Sequence, residues 1–410
     1  MSAAEFSDLI GLKAQAFSES GTIERVLNAL RKHLKMDVAF VSHFRAQDRV
    51  FTHVDAADPS PIKQGDVLSL DVGYCQRVVD GRLPGLIANT ADVPLAMSLP
   101  ETVALPIGSH MSVPIYLSNG NLYGTFCCFG YQADSSLSER DMQVMKVFAE
   151  LITDQIESDL RRVQDRVRKH RRISEVLGSA QPAIVYQPIF DARTLAVSGW
   201  ECLSRFTSEP MRSPDKWFED AAEAGLGVDL ECRAIEQALI GLATLPAHTY
   251  MTLNCSPQLI FSGRLDALLQ GHPVNRLVLE ITEHAVVSDY VRLQHSLEGL
   301  RRSGVQLAID DAGAGYASMR HILLLNPDMI KLDMSLTRGI DRDSKLRAMA
   351  SAIIAFAAQT GSTVVAEGVE TESELEALRS LGASKVQGYL LGRPMTLADA
   401  QQLTAASLVT

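Results

Sequence analysis

The stretch VQLAIDDAGAGY, residues 305–316, joins an apolar run that reads as a β-strand to a glycine-rich turn, with two adjacent carboxylates, Asp310 and Asp311, between them. Side chains on a strand alternate faces, so Val305 to Ile309 can lie in a packed interior while the aspartates reach the strand's C-terminal end. Two carboxylates in one small space repel, and either one takes up a proton or a cation neutralises both. A pair of divalent metals is one reading. The other is a turn closed by the Asp311 side chain, with Asp310 solvated. Neighbouring strands that end the same way would favour the metals.

Outward from this stretch, strand-like runs alternate with helical ones. The runs are AIVYQPI (183–189), VSGWECLSR (197–205), TYMTLNCS (249–256), RLVLEITE (276–283), VQLAIDD (305–311), MIKLD (329–333), TVVAEGVE (363–370) and KVQGYLLG (385–392). Helical spacing fills 214–243, 286–302, 335–360 and 371–381. Eight strands with helical crossovers predict an α/β fold of the TIM-barrel type. FDARTLA (190–196) is too short for a crossover helix, so the first two strands should be antiparallel neighbours in a modified barrel.

In such a barrel, chemistry sits at the C-terminal ends of the strands. Those ends carry Glu201, Asn254, Glu280 with Glu283, Asp310 with Asp311, Lys331 with Asp333, Glu367 with Glu370, and Gln387. Each residue alone has a structural reading, as a turn former, an ion-pair partner or a satisfied core amide. Several unpaired carboxylates buried together at one barrel mouth would be costly. Oxygen ligands without His or Cys favour Mg²⁺ or Mn²⁺ over zinc. A carboxylate that reaches two metals beside a lysine suits in-line phosphoryl displacement, which points to metal-dependent hydrolysis of a phosphate ester.

Residues 181–405 resemble an EAL-family phosphodiesterase domain, which hydrolyses cyclic di-GMP to linear pGpG. The resemblance rests on seven blocks in order: ECLSR (201–205), LNCSPQL (253–259), LEITE (279–283), IDDAGAGYASM (309–319), IKLD (330–333), VVAEGVET (364–371) and VQGYLLGRPM (386–395). It implies that Glu201, Asn254, Glu280 and Asp310 hold one metal, and that Asp310 bridges to a second, completed by Asp311. It further implies that Lys331 and Glu367 position and deprotonate the attacking water, with Gln387 supporting them. Gln187, Leu203 and Arg205 would meet the substrate, Arg205 through its planar fork. Glu283 would anchor the loop after Asp311, and Glu370 would orient its neighbours at the substrate side. Cys202 stands where the family usually has Ala, and Ala312 and Ala314 replace Phe and Thr in the loop after the aspartates. These changes leave every implied ligand intact and put in question how that loop couples the two sites of a dimer. A silent dinucleotide receptor is the alternative within the family, although no ligand and no lysine is missing. No GGDEF occurs, so synthesis of the dinucleotide is not expected.

The N-terminal part, 1–158, reads differently. A helical start with Ile23, Val26, Leu27, Leu30 and Leu34 on one face leads to strands 36–44 and 49–56, and HMSVPIYL (110–117) pairs with LYGTFCCFGY (122–131) across an Asn-Gly turn. These elements predict an α+β domain with an antiparallel sheet and a long irregular stretch, 57–107, of the kind used as a binding loop or lid. Helix order and the block SVPIYLSNGNLYGTFCCFG (112–130) are similar to a GAF domain, a small-ligand sensor fold whose ligand here is not fixed by any residue pattern. A bilin on Cys75 or a haem on His110 is less favoured than simple packing. A long helix from Ser138 then runs into a linker, 159–180, whose basic run RRVQDRVRKHRR (161–172) reads as a solvated face. Parallel pairing of two such helices predicts a homodimer.

The formal charge of −11 argues against a nucleic-acid partner. The start MSAAEFSDLI has no signal-peptide pattern, and the apolar helical stretch 348–358 is too short to span a bilayer, so a cytoplasmic location is expected. The six cysteines show no C-x-x-C spacing, which suits free thiols rather than disulfides or zinc.

Overall fold

A computed structural model describes residues 21–57, 61–282, 287, 289–313 and 316–407, with side chains left out at 316–318 and 405–407. It divides into two compact units at Asp165/Arg166, inside the single helix Glu139–Leu177.

The first unit is a six-stranded antiparallel sheet: β1 (Val38–Phe44), β2 (Asp48–Ala56), β3 (Val67–Ser69), β4 (Leu86–Ile87), β5 (Ser109–Tyr116) and β6 (Leu122–Gly130), in the order β3-β2-β1-β6-β5-β4. Strand alternation gives the sheet two apolar faces. Val41, Phe126 and Cys128 pack against Leu27 and Leu30 of the helix Thr22–Leu34 and against Met145 and Ile152 of the long helix. Phe40, Cys127 and Phe129 pack on the other face under Phe51, Tyr74, Cys75 and Leu99. The stretch expected to be irregular is built instead of short pieces, among them β3, β4 and the helices Tyr74–Val79, Pro94–Met97 and Pro100–Ala104. Prolines at the first helical positions of the last two helices nucleate them, because their missing N–H would be unpaired there anyway.

The second unit is a closed barrel of eight strands: β7 (Ala183–Asp191), β8 (Val197–Arg205), β9 (Tyr250–Asn254), β10 (Leu277–Thr282), β11 (Gln306–Ala312), β12 (Met329–Leu332), β13 (Thr363–Ala366) and β14 (Lys385–Val386). β7 runs antiparallel to both neighbours, β8 and β14, and the other pairs are parallel. The antiparallel first pair expected from the short 190–196 connection is therefore present. One helix expected over 214–243 is two, Pro214–Ala224 and Gly227–Leu242, because Gly225 closes the first in the left-handed conformation at φ 78°.

Period-2 alternation explains how the barrel presents its polar residues. Ile189, Val278, Ala308, Met329 and Val365 form an apolar plug inside the barrel, with Tyr250 packed on it. Two residues further towards the mouth on the same strands come Gln187, Glu280, Asp310 and Lys331, and Glu367 directly follows β13. Gln187 precedes Ile189 in sequence because β7 is inverted. Gly199 on β8 leaves room for the Tyr250 ring, whose Cζ would lie 2.4 Å from an added Cβ. Gly199→Ala should therefore cost about 1–3 kcal/mol through overpacking. A lowered midpoint in urea or thermal unfolding is expected, and an unchanged one would contradict this packing.

The basic run is only partly a solvated face. Lys169 and Arg172 reach the buried Asp220 at 3.2 and 2.7 Å, and Arg212 joins them at 2.7 Å. Ile173 and Val176 pack beside them on Trp217 and Leu230. Among the described residues no helix is long and apolar enough to cross a membrane.

Candidate active site

Lys331 is the hub of the barrel mouth. Fully buried on β12, its Nζ lies 2.8 Å from Glu367, 3.0 Å from Glu280, 3.0 Å from Asp310 and 3.2 Å from Glu201. These carboxylates come from β8, β10, β11 and the residue after β13, so the barrel itself sets the convergence. Glu201 is held on both oxygens, by Lys331 and by Gln387, whose Nε2 donates to Oε2 at 2.6 Å.

Candidate ligand atoms gather in two groups, Glu201–Glu280–Asp310 and Asp310–Asp311–Glu367, each within 4.8 Å. Asp310 belongs to both. On a regular strand Asp310 and Asp311 would point to opposite faces. Here Asp311 adopts a left-handed backbone, φ 58°, and the pairing of β11 with β12 shifts register between Ile309 and Ala312. The bulge turns the second aspartate to the same side, and aspartate is among the few residues that tolerate this conformation. Its N–H donates to Asp310 Oδ1 at 3.0 Å.

Five carboxylates against one ammonium leave a strong negative excess. Burial, opposed by Lys331 and reinforced by Asp310 and Glu201, pushes the Glu280 carboxyl up to about 8, and the same causes push Glu367 well above the usual carboxylate range. Among the described residues neither oxygen of the fully buried Glu280 has a hydrogen-bond donor. Lys331 stands within ion-pair distance of Oε1. Such orphaned acceptors fit a hard divalent cation, and the all-oxygen donor set fits Mg²⁺ or Mn²⁺.

A pH dependence follows. A carboxyl whose folded pKa is raised keeps a proton that the unfolded chain releases, so its contribution is complete below the unfolded value and is lost as pH rises towards the folded one. The contribution of these carboxyls to the metal-free midpoint should therefore fall between about pH 5 and about pH 8. The slope should shrink in Glu280→Gln and be offset by saturating Mn²⁺. Equal metal-free slopes in the two proteins would contradict the assignment.

Beside this cluster lies a cavity of about 580 Å³ lined by Leu203, Arg205, Phe218, Asn254, Glu280 and others. Arg205 lines this cavity, is exposed, and among the described residues its guanidinium donates to the Ser204 carbonyl. Asn254 ends β9 directly opposite Glu280 in the β9–β10 register. Gln187 is buried opposite Glu201 and donates to the Gly392 carbonyl at 3.2 Å. Glu370 stands apart: it is exposed and ion-paired with Arg338. Glu283 and Ala314 lie outside the described residues.

Two acids not singled out from the sequence support the site. Glu231 accepts the Ser256 N–H at 2.8 Å and so fixes the turn after Asn254. Glu374 accepts the N–H groups of Gly339, Glu370 and Thr371 at 2.8, 3.0 and 3.0 Å, tying the loop after β13 to the segment after β12. Nothing in sequence spacing marks Glu231. Glu374 completes a capping box with Thr371, a pattern readable in TESE (371–374).

Fold and site together define a modified barrel with an acidic mouth suited to hard divalent cations. A family model described as the EAL domain matches residues 170–394, over half the chain, and a GAF-domain model matches 18–157. The chain belongs to the EAL-domain family and carries an N-terminal GAF domain. It is 32% identical over 251 residues to the Escherichia coli cyclic di-GMP phosphodiesterase PdeF, covering 58% of this chain and 33% of that protein. A Caulobacter vibrioides protein named only as a signaling protein is 28% identical over 334 residues, 78% of this chain and 40% of its own length. The solved PaMucR phosphodiesterase in complex with c-di-GMP is 31% identical with a TM-score of 0.50, covering 58% of this chain and 99% of that one. The chain spans only 33% and 40% of the two curated relatives.

Proposed function

We propose that this chain is a divalent-metal-dependent phosphodiesterase that hydrolyses cyclic di-GMP to linear pGpG under the control of its GAF domain. The observation that carries the reading is the pair of carboxylate groups sharing Asp310 around Lys331, beside a cavity of nucleotide size. Glu201, Asn254, Glu280 and Asp310 would hold one Mg²⁺ or Mn²⁺, and Asp310 with Asp311 the other. When bound, such ions supply Lewis acidity at the phosphoryl oxygens and a water acidified towards neutrality. Glu367, held by Lys331, takes the proton of the attacking water. Gln387 keeps Glu201 in its ligating orientation. Arg205 binds a phosphate oxygen through two parallel N–H donors, while Leu203 and Gln187 shape the wall against which the substrate lies. Glu370, by its pairing with Arg338, acts on the substrate only through the loop it terminates.

Incubating the full chain with cyclic di-GMP and Mg²⁺ or Mn²⁺ should yield pGpG. Tight binding without turnover would favour a silent receptor. The chain is also inferred to be a homodimer paired through the helix Glu139–Leu177, where Val147 and Leu151 are exposed one turn apart. Sedimentation should give twice the chain mass, and a monomer at micromolar concentration would contradict the pairing.

A further inference from the structure

Cys75 and Cys127 are 52 residues apart, and no sequence spacing links them. The sheet does. Along β6 alternate residues face opposite sides, so Cys127 points into the core with Tyr74, Cys75 and Leu99, whereas Cys128 points to the helices on the other side. The two sulfurs, Cys75 Sγ and Cys127 Sγ, lie 3.5 Å apart, both within hydrophobic surroundings and 1% and 0% exposed. A charged side chain accompanies them: Arg49, itself buried, donates through one guanidinium nitrogen to Cys75 Sγ and through the other to Glu101. Cys127 is also in contact with the hydroxyls of Ser112 at 3.1 Å and Thr125 at 3.3 Å.

We propose that Cys75 and Cys127 are a redox-active dithiol, oxidised to an intramolecular disulfide by a small uncharged peroxide such as hydrogen peroxide. The environment divides the labour between the two. Burial raises the Cys75 thiol, but the hydrogen bond with Cys127 and the charge of Arg49 outweigh it and bring the group to about 7, whereas burial holds Cys127 well above the ordinary thiol range. Cys75 is thus the attacking thiolate and Cys127 the resolving thiol.

In the first step Cys75 Sγ attacks one peroxide oxygen. The O–O bond breaks, a sulfenic acid forms, and the departing hydroxide takes up the proton that Cys75 had released. In the second, Cys127 Sγ attacks Cys75 Sγ, the S–O bond breaks, the S–S bond forms, and water leaves with the Cys127 proton. Two thiols lose two electrons and peroxide is reduced to two waters. The sulfurs need to close from 3.5 Å to about 2.0 Å. Their burial excludes bulky oxidants, so glutathione disulfide should not react. This inference concerns the GAF domain alone and stands whether or not the barrel hydrolyses cyclic di-GMP.

The test uses the reduced full chain in thiol-free buffer, exposed to hydrogen peroxide, alkylated under denaturing conditions and mapped by peptide mass spectrometry. A Cys75–Cys127 cross-link, reversed by dithiothreitol, is expected, with Cys128, Cys202, Cys232 and Cys255 still alkylated. In Cys127→Ser, dimedone should capture Cys75 as a sulfenic acid. In Cys75→Ser, Cys127 should remain uncaptured. Six alkylated cysteines after peroxide, a cross-link to any other cysteine, or equal oxidation by glutathione disulfide would each overturn the proposal.

Discussion

Glu201→Ala should lower cyclic di-GMP turnover on the order of 10³-fold, equivalent to about 4 kcal/mol of lost transition-state charge stabilisation. The residue joins three parts of the site: it stands in the first carboxylate group, accepts from Lys331 at 3.2 Å and is oriented by Gln387 at 2.6 Å. Its loss removes a proposed metal ligand and the acceptor of the Gln387 amide. It also removes one of several mutually repelling carboxylates, so the metal-free chain should melt near the wild-type midpoint. Turnover close to wild type in that variant would sink the ligand assignment.

Lys331→Met should do the reverse to stability. Among the described residues Nζ is the one cation in contact with Glu201, Glu280, Asp310 and Glu367, and it has no exposed surface. Removing one partner from a buried ionic cluster leaves the others uncompensated, at a cost of about 3–5 kcal/mol. The metal-free midpoint should drop accordingly and Mn²⁺ should recover part of it, while turnover stays lost because Glu367 no longer has its holder. A metal-free midpoint equal to wild type would show that the carboxylates do not depend on the lysine. The two variants thus separate the chemistry of the cluster from its electrostatic upkeep.

Much of the barrel was readable in the residues. Strand runs with polar ends gave Glu201, Glu280, Asp310, Lys331 and Glu367 as one constellation, and the brevity of 190–196 gave the antiparallel first pair. Periodicity is a local property, and it reports strands well. It does not report where the alternation breaks. The bulge and left-handed turn that bring Asp311 beside Asp310 leave no trace in IDDAGAG beyond the glycines, since Asp311 itself carries the positive φ. Gly225 splits a helix that hydropathy reads as continuous, and Lys169 and Arg172 leave the solvated run for Asp220, a residue some 50 positions later in the chain. Long-range partners of that kind, like Cys75 with Cys127, are set by which sheet face a side chain occupies, and only the folded chain fixes this.

The most direct test of the shared-aspartate site is a count of bound ions by equilibrium dialysis of the full chain against Mn²⁺. Two ions per chain are expected in the wild type, one in Asp311→Ala, and none in Asp310→Ala at a concentration that saturates the wild type. A single ion in the wild type, or two retained by Asp310→Ala, would contradict a site in which one aspartate serves both metals.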